Sequence, residues 1–283
     1  MVIEQPSFPR TSDPFDKNVP YYIKDADVPA VSSAARKVLE EYSGVPPAEV
    51  QSHVLKVREC AWQIHPFPCI GSVRFLDFSL STMPSYKTII ASLSKTNDPT
   101  TLLDVGCCFG QDLRKLIVDG APASQVVGVD LRPEFIDLGY ELFLDRATFD
   151  GRFVAGDVFD KTPGNSLEAL EGTISFVHVT HFFHLFDREQ QVAAASRLVR
   201  FLKDEPGTVI LGRQLGAENP GAHEHRAGTN GMAYSHDQES FQKFWGEVGA
   251  VTKTPWKLDT SMETVMLNGM PLLILNFEAT RLA

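Results

Sequence analysis

The chain has 283 residues, 43% of them hydrophobic, and a formal charge of −10 from 36 acidic and 26 basic side chains. That length and apolar content allow one large domain or a domain with a cap, whereas the acidic balance disfavours a nucleic-acid partner, whose phosphates call for clustered Lys and Arg. No apolar run approaches the roughly 20 residues that span a bilayer, and Met1 to Phe15 mix Glu4, Arg10 and Asp13 with three prolines instead of a signal-peptide core, so a soluble, cytoplasmic protein with no membrane partner is expected.

Residues 1–29 are rich in Pro, Asp and aromatics without a helical period, the pattern of an extended arm anchored by Tyr21 and Tyr22. From Val28 to about Ser94 the pattern turns helical, broken by Gly44-Val-Pro-Pro47 and His65-Pro-Phe-Pro-Cys-Ile-Gly71, which predicts a small helical cap. Arm and cap occupy residues 1–95, and residues 96–283 form the main domain. There, strands are predicted near 101–106, 125–130, 152–156, 174–180 and 207–213, with helices at 110–118, from Pro133 to about Arg146, and from Asp187 to Leu202. The aperiodic, glycine-containing segment 214–235 is long enough to be functional and reads as a lid. A helix resumes over His236–Glu247, and Val251–Lys257 with Leu272–Thr280 read as an antiparallel pair. The expected fold is α/β, a Rossmann-like seven-stranded sheet with an N-terminal helical cap.

Chemistry concentrates in three runs: Leu102-Leu-Asp-Val-Gly-Cys-Cys-Phe-Gly-Gln-Asp112, Val126-Val-Gly-Val-Asp130 and Phe153-Val-Ala-Gly-Asp157. Each is a strand-like run ending in glycine, a carboxylate or both, and open α/β sheets bind ligands at the carboxyl ends of their strands. Gly106 and Gly110 bracket a turn whose N–H groups a ligand can approach. Cys107 reads as a small residue permitting that approach, not as a catalytic thiol. The Gly-x-x-x-Gly spacing differs from the Gly-x-Gly-x-x-Gly of dinucleotide sites. Any one acid alone reads equally well as a turn or cap residue. The ordered set of three suits a ligand with an ammonium, a ribose diol and an exocyclic amine, which S-adenosylmethionine combines. Asp104 is the candidate for the ammonium, directly or through water. Asp130, with Leu131 beside it, is the candidate for the ribose. Asp157, after Gly156, suits the adenine amine, with the Val158 N–H donating to a ring nitrogen. Gln111 and Asp112 either add polar contacts or are first-turn residues favoured by the helix dipole.

Asp104-Val-Gly-Cys-Cys-Phe-Gly110, Asp130 and Gly156-Asp157 resemble the motifs of the class I S-adenosylmethionine-dependent methyltransferase superfamily. More narrowly, Pro66-Phe-Pro-Cys-Ile-Gly-Ser-Val-Arg-Phe-Leu-Asp77, Cys107-Cys-Phe-Gly-Gln-Asp-Leu-Arg114 and Gly212-Arg-Gln214 are similar to fungal secondary-metabolite methyltransferases of meroterpenoid pathways. The narrower resemblance implies a small lipophilic acid as substrate, methylated at a carboxylate.

Methyl transfer from a sulfonium mainly requires positioning of the acceptor and exclusion of water. An ionised carboxylate needs a cationic anchor, whereas a phenol gains from a general base. His181 and His184, after the fourth strand, are the candidate bases or donors, while His178 is expected in the sheet packing. Arg213 is the candidate carboxylate anchor, with Gln214 beside it and Arg74 of the cap as a second cation. Tyr22, Phe75 and Tyr86 are the candidates for an apolar wall. His223 and His225 flank Glu224, but the short spacing and missing third ligand disfavour a metal. Three alternatives remain open from the residues: carboxylate transfer, phenol or enol transfer with a histidine base, and a non-transferring cyclase or regulatory protein. The cap or the C-terminal pair offers a surface for a homodimer.

Overall fold

The computed structural model describes residues 13–95, 100–224, 231–267 and 269–283. Five parallel strands, β1 (Leu102–Val105), β2 (Val126–Asp130), β3 (Arg152–Ala155), β4 (Phe176–Val179) and β5 (Val209–Leu215), form most of one sheet. After a small separate hairpin of β6 (Gly221–Glu224) and β7 (Met232–Ser235), the strands β8 (Trp256–Leu267) and β9 (Met270–Arg281) return antiparallel. The sheet order is β3-β2-β1-β4-β5-β9-β8. The order reverses at β1, and this is where an open parallel sheet makes a crevice at its carboxyl edge.

The cap consists of α1 (Ser33–Lys37), running into a π turn at Val38–Tyr42, then α2 (Val50–Ile64), α3 (Pro68–Gly71) and α4 (Tyr86–Leu93). The main-domain helices are α5 (Gln111–Val118), α6 (Pro133–Phe143), α7 (Arg188–Phe201) and α8 (Gln238–Thr252). Pro133 occupies the first turn of α6, where its missing N–H costs nothing. Capping boxes at Asp187/Gln190 and Asp237/Ser240 start α7 and α8.

Register sorts the side chains. Gly128, Asp104, His178 and Leu211 lie level across four strands, and because side chains alternate along a strand, Asp130 and Arg213 share their face. That face packs on α4 and α5 through Leu80, Met83, Ile89, Leu113 and Leu116. The opposite face, with Leu103, Val105, Val127, Val177 and Ile210, packs on Ala194, Leu198, Phe241 and Phe244 of α7 and α8. The cap's apolar cluster, Tyr21, Tyr22, Val54, Trp62 and Phe75, continues without a break into Phe109, Phe135, Leu138 and Leu142 of the main domain. Tyr21 and Tyr22 pack on Trp62 with ring centroids 6.0 and 4.8 Å away, which ties down the arm from Val19 onward.

Arg114 joins cap, glycine loop and α6. It is fully buried and donates to both Asp145 oxygens at 2.9 Å, and to the Phe109 carbonyl at 2.8 Å. Tyr42 of the cap donates to the same Asp145 at 2.8 Å, and the rings of Tyr140, Phe143, Phe149 and Phe153 surround the guanidinium.

Two expectations are corrected. The segment Val251–Pro255 is not strand: α8 continues to Thr252 and ends only at Lys253, in the left-handed region, with Thr254 N–H bonded to the Gly249 carbonyl at 3.1 Å. Segment 214–235 is not wholly loop, for β6 and β7 pair within it; strands of four residues, Gly-Ala-His-Glu and Met-Ala-Tyr-Ser, carry too little alternation to be read. His225 lies outside the described residues. Among the described residues no helix is long and apolar enough to cross a membrane.

Replacing Arg114 by Leu strands the Asp145 carboxylate in an apolar site, so chemical denaturation should show a loss of about 3–5 kcal/mol, with Arg114→Leu/Asp145→Leu recovering part of it.

Candidate active site

The turn after β1 begins with Gly106 at φ +72° and closes with Gly110 at φ +63°. At Gly110 a Cβ would stand 2.5 Å from the Phe153 ring and 2.6 Å from Arg114 Nη1, so both dihedral and space demand glycine. Between them Cys108 is also left-handed, at φ +53°, and its N–H donates to Asp130 Oδ2 at 2.8 Å. The Arg132 N–H donates to Asp130 Oδ1 at 2.9 Å. Asp130 thus spans the β1 and β2 turns. Burial pushes its carboxyl up to about 6, against the pull of those two N–H groups. Cys107 and Cys108 have thiols raised well above the ordinary value, chiefly by burial, which leaves them protonated and poorly nucleophilic.

Asp104 is buried and level with His178, whose Nδ1 lies 2.7 Å from Asp104 Oδ1. His178 Nε2 is 2.9 Å from Thr180 Oγ1. Ser79 of the cap reaches Thr180 Oγ1 and Asp112 Oδ2, both at 3.3 Å, and Leu80 N–H donates to Asp112 Oδ1 at 2.9 Å. Burial raises the Asp112 carboxyl to about 6. Asp112 therefore holds the cap, a role its position in the first turn of α5 did not reveal.

Leu131 is 62% exposed beside Asp130 at the strand edge. Gly156 donates to the Asp130 carbonyl at 2.9 Å, placing exposed Asp157 and buried Val158 next along that edge. Asp157 Oδ1 accepts the Phe159 N–H at 2.9 Å. Gln111 Oε1 is buried with no hydrogen-bond partner among the described residues. An exposed apolar side chain beside two acids, and an orphaned amide oxygen next to the glycine turn, fit an adenosyl group with its amino-acid tail.

His181 is left-handed at φ +50°, and its N–H donates to the Arg213 carbonyl at 2.7 Å. Its ring centroid is 5.7 Å from that of His184. Burial, then the nearby His184, Arg213 and Arg74, hold the His181 imidazole neutral, its proton affinity far below the ordinary histidine value. Arg213 is only 8% exposed, is in no ion pair among the described residues, and has Nε without an acceptor. Burial and then Arg74 lower its proton affinity, with Glu263, Asp77 and Asp112 acting in the other direction. Arg74 Nε donates to Asp77 at 2.7 Å. Gln214 is 1% exposed, with neither amide atom partnered among the described residues, and alternation turns it to the face opposite Arg213.

Of the candidate wall residues, Tyr22 and Phe75 share the cap's apolar cluster, whereas Tyr86 lies in the cluster that packs the sheet on α4 and α5. Phe75 packs edge-on to Phe109 at 4.9 Å and supports the glycine turn. The Tyr22 hydroxyl is held by Arg58 and Glu59 within the cap. Tyr86 donates to Asp119 at 2.9 Å, at the far end of α5 from the strand tips.

Sequence reading passed over Gln191. It is fully buried, and its amide donates to the carbonyls of Phe183, Phe186 and Tyr234 at 2.9, 3.2 and 2.8 Å, while its oxygen meets His236 Nε2 at 2.8 Å. One side chain thereby ties the His181–His184 turn to β7 and α8. A polar residue in step with Ala194, Ala195 and Leu198 on the buried stripe of α7 was the available signal. Burial lowers the His236 pKa to about 3, so that ring stays neutral. Among the described residues no cluster of three or more His, Cys, Asp or Glu could hold a metal.

Residues 102–205 match the family described as "Methyltransferase domain", and residues 21–76 match "Meroterpenoid methyltransferase N-terminal domain". Together with the sheet order and the glycine turn, these define a class I S-adenosylmethionine-dependent methyltransferase. The chain is 43% identical to O-methyltransferase phiE of a fungal species, over 86% of this chain and 80% of that protein. It is 39% identical to O-methyltransferase atr3 of Stereocaulon alpinum, over 88% and 70%, and 34% identical to the Asnovolin E/Chermesin D methyltransferase nvfJ of Aspergillus novofumigatus, over 91% and 92%. The chain belongs to this family of fungal secondary-metabolite methyltransferases. A solved phosphoethanolamine N-methyltransferase 2 from Haemonchus contortus shares the fold, with TM-score 0.51 and 14% identity, over 89% of this chain and 60% of that one.

With the Asp130 carboxyl raised to about 6, its ionised form is lost as the pH falls through that value. Affinity for S-adenosylhomocysteine, measured by calorimetry, should therefore drop about tenfold from pH 7.5 to 5, and the drop should be absent in Asp130→Asn, which binds weakly throughout. The same raised value makes ionisation of Asp130 a cost to stability as the pH rises from about 4 to about 6. Gln191→Glu would face three carbonyl oxygens with a carboxylate. A tenfold or larger loss of kcat and a lower Tm are expected, each carbonyl losing a bond of about 1 kcal/mol.

Proposed function

We propose that the chain methylates a carboxylate of a small lipophilic acid of the meroterpenoid or polyketide type, forming a methyl ester. The observation that carries this is Arg213: a guanidinium nearly out of solvent, at the ligand edge of the sheet, in no ion pair among the described residues and with its Nε unpartnered there. A buried cation without an acid in direct contact is costly, and a substrate carboxylate, held in bidentate fashion, supplies that contact. Arg74, itself paired with Asp77, adds positive potential at Arg213, which favours an anion beside it.

When bound, S-adenosylmethionine supplies a methyl group on a cationic sulfur, and an ionised carboxylate accepts it with no proton to be removed. Asp104, Asp130, Leu131, Gln111, Asp157 and Val158 are proposed to hold that cofactor along the tips of β1, β2 and β3. His181, kept neutral, is too weak a base to draw the proton of a phenol and serves better as a hydrogen-bond partner beside the carboxylate. His184, 5.7 Å from it, closes the same side, and Gln214 lies behind the β5 tip. The match of residues 21–76 to the family described as "Meroterpenoid methyltransferase N-terminal domain" supports the substrate class. The reading includes a cytoplasmic enzyme with no nucleic-acid partner.

Purified enzyme with a prenylated aromatic acid and its decarboxylated phenol should yield a methyl ester from the first and no product from the second, by mass spectrometry. Arg213→Gln should raise KM for the acid at least tenfold, the scale of one charge-assisted pair, and leave the cofactor Kd within about twofold. Methylation of the phenol, abolished in His181→Ala, would overturn the assignment.

A further inference from the structure

We propose that His178 is a positioning residue that fixes Asp104 for the cofactor's ammonium, acting through its Nδ1 atom. The inference rests on Asp104 being the ammonium's partner. It goes beyond that reading because it assigns a function to a buried histidine that touches neither cofactor nor substrate.

The geometry is a closed chain. Asp104 and His178 are 3% and 1% exposed and stand level on adjacent parallel strands, so the 2.7 Å contact is imposed by the sheet register. His178 Nε2 is held by Thr180 at 2.9 Å, and Thr180 is steadied by Ser79 at 3.3 Å. Ser79 also reaches Asp112, so the ring is clamped from β4 and from the cap at once. With Oδ1 committed to His178, Asp104 has its rotamer fixed and Oδ2 left for a ligand. Leu211, level with His178 on β5, brings no competing polar group.

Charge agrees with this placement. Burial alone would strip the imidazole of its proton, but the charge and hydrogen bond of Asp104, then Asp112, raise its proton affinity above the ordinary histidine value. An Nδ1–H pointing at Asp104 is therefore maintained. Without it, two buried carboxylates would face one another's field across the β1 turn, and Asp104 would have no donor to set its direction.

Two ligands separate this role from simple stabilisation. S-adenosylhomocysteine carries the ammonium, and 5′-methylthioadenosine is the same nucleoside thioether without the amino-acid tail. Calorimetry on the full chain should give a wild-type affinity ratio of at least about tenfold in favour of S-adenosylhomocysteine, the scale of a charged hydrogen bond. His178→Gln, whose amide replaces Nε2 and not Nδ1, should collapse that ratio about tenfold and leave the methylthioadenosine Kd unchanged. His178→Asn, whose amide nitrogen takes the place of Nδ1, should keep the ratio within about threefold. Equal weakening of both ligands, or a ratio in His178→Gln equal to that of the wild type, would overturn the proposal. A wild-type ratio near one removes its premise instead, showing that Asp104 does not hold the ammonium.

Discussion

The structure is organised around the buried Arg114–Asp145 pair. A guanidinium with no exposure must find a full set of acceptors and ring faces, and here it finds them on separate parts of the chain. Its bond to the Phe109 carbonyl sets the floor of the glycine turn, its bidentate bond to Asp145 fixes the chain just beyond α6, and Tyr42 brings in the cap. The cap and the methyltransferase sheet therefore share one interior. Packing reinforces this: a Cβ on Gly139 would sit 2.3 Å from the Phe109 oxygen, so α6 lies directly against the turn.

From that fixed turn the site follows by strand alternation. Asp104, Asp130, His178 and Arg213 share a sheet face because their positions have the same parity in register-matched parallel strands. Two non-glycine residues, Cys108 and His181, are held left-handed where the chain leaves β1 and β4, and each uses its N–H to lock a neighbouring functional strand end. Such conformations cost about 1–3 kcal/mol each and persist only where surrounding contacts enforce them.

The charges divide the crevice. Acids gather at the tips of β1, β2 and β3, and cations at β5 and in the cap, with the neutral His181 between them. This arrangement would suit a cationic cofactor and the anionic acceptor proposed above, where low dielectric strengthens both interactions. The methyl group would travel from the acidic side toward the basic one, with Gln191 holding the intervening turn to β7 and α8.

The fold was legible in the chain itself, because it rests on local signals: apolar runs ending in Gly or Asp, a Pro at the start of α6, helix-length spacing between strands. Asp104, Asp130 and Asp157 could be placed at strand ends from such runs alone. The long β8–β9 hairpin was read short, since Val251 and Thr252 favour strands by type yet remain in α8 until Lys253 ends it. What only tertiary structure decided are the partners of polar residues far apart in sequence. That His178 faces Asp104, that Asp112 is claimed by the cap, that the Tyr22 and Tyr86 hydroxyls are taken by Glu59 and Asp119, and that Arg213 is in no ion pair among the described residues all depend on which elements lie adjacent and in what register. Residue type determines what a group can bind; only the packed sheet determines what remains for it to bind.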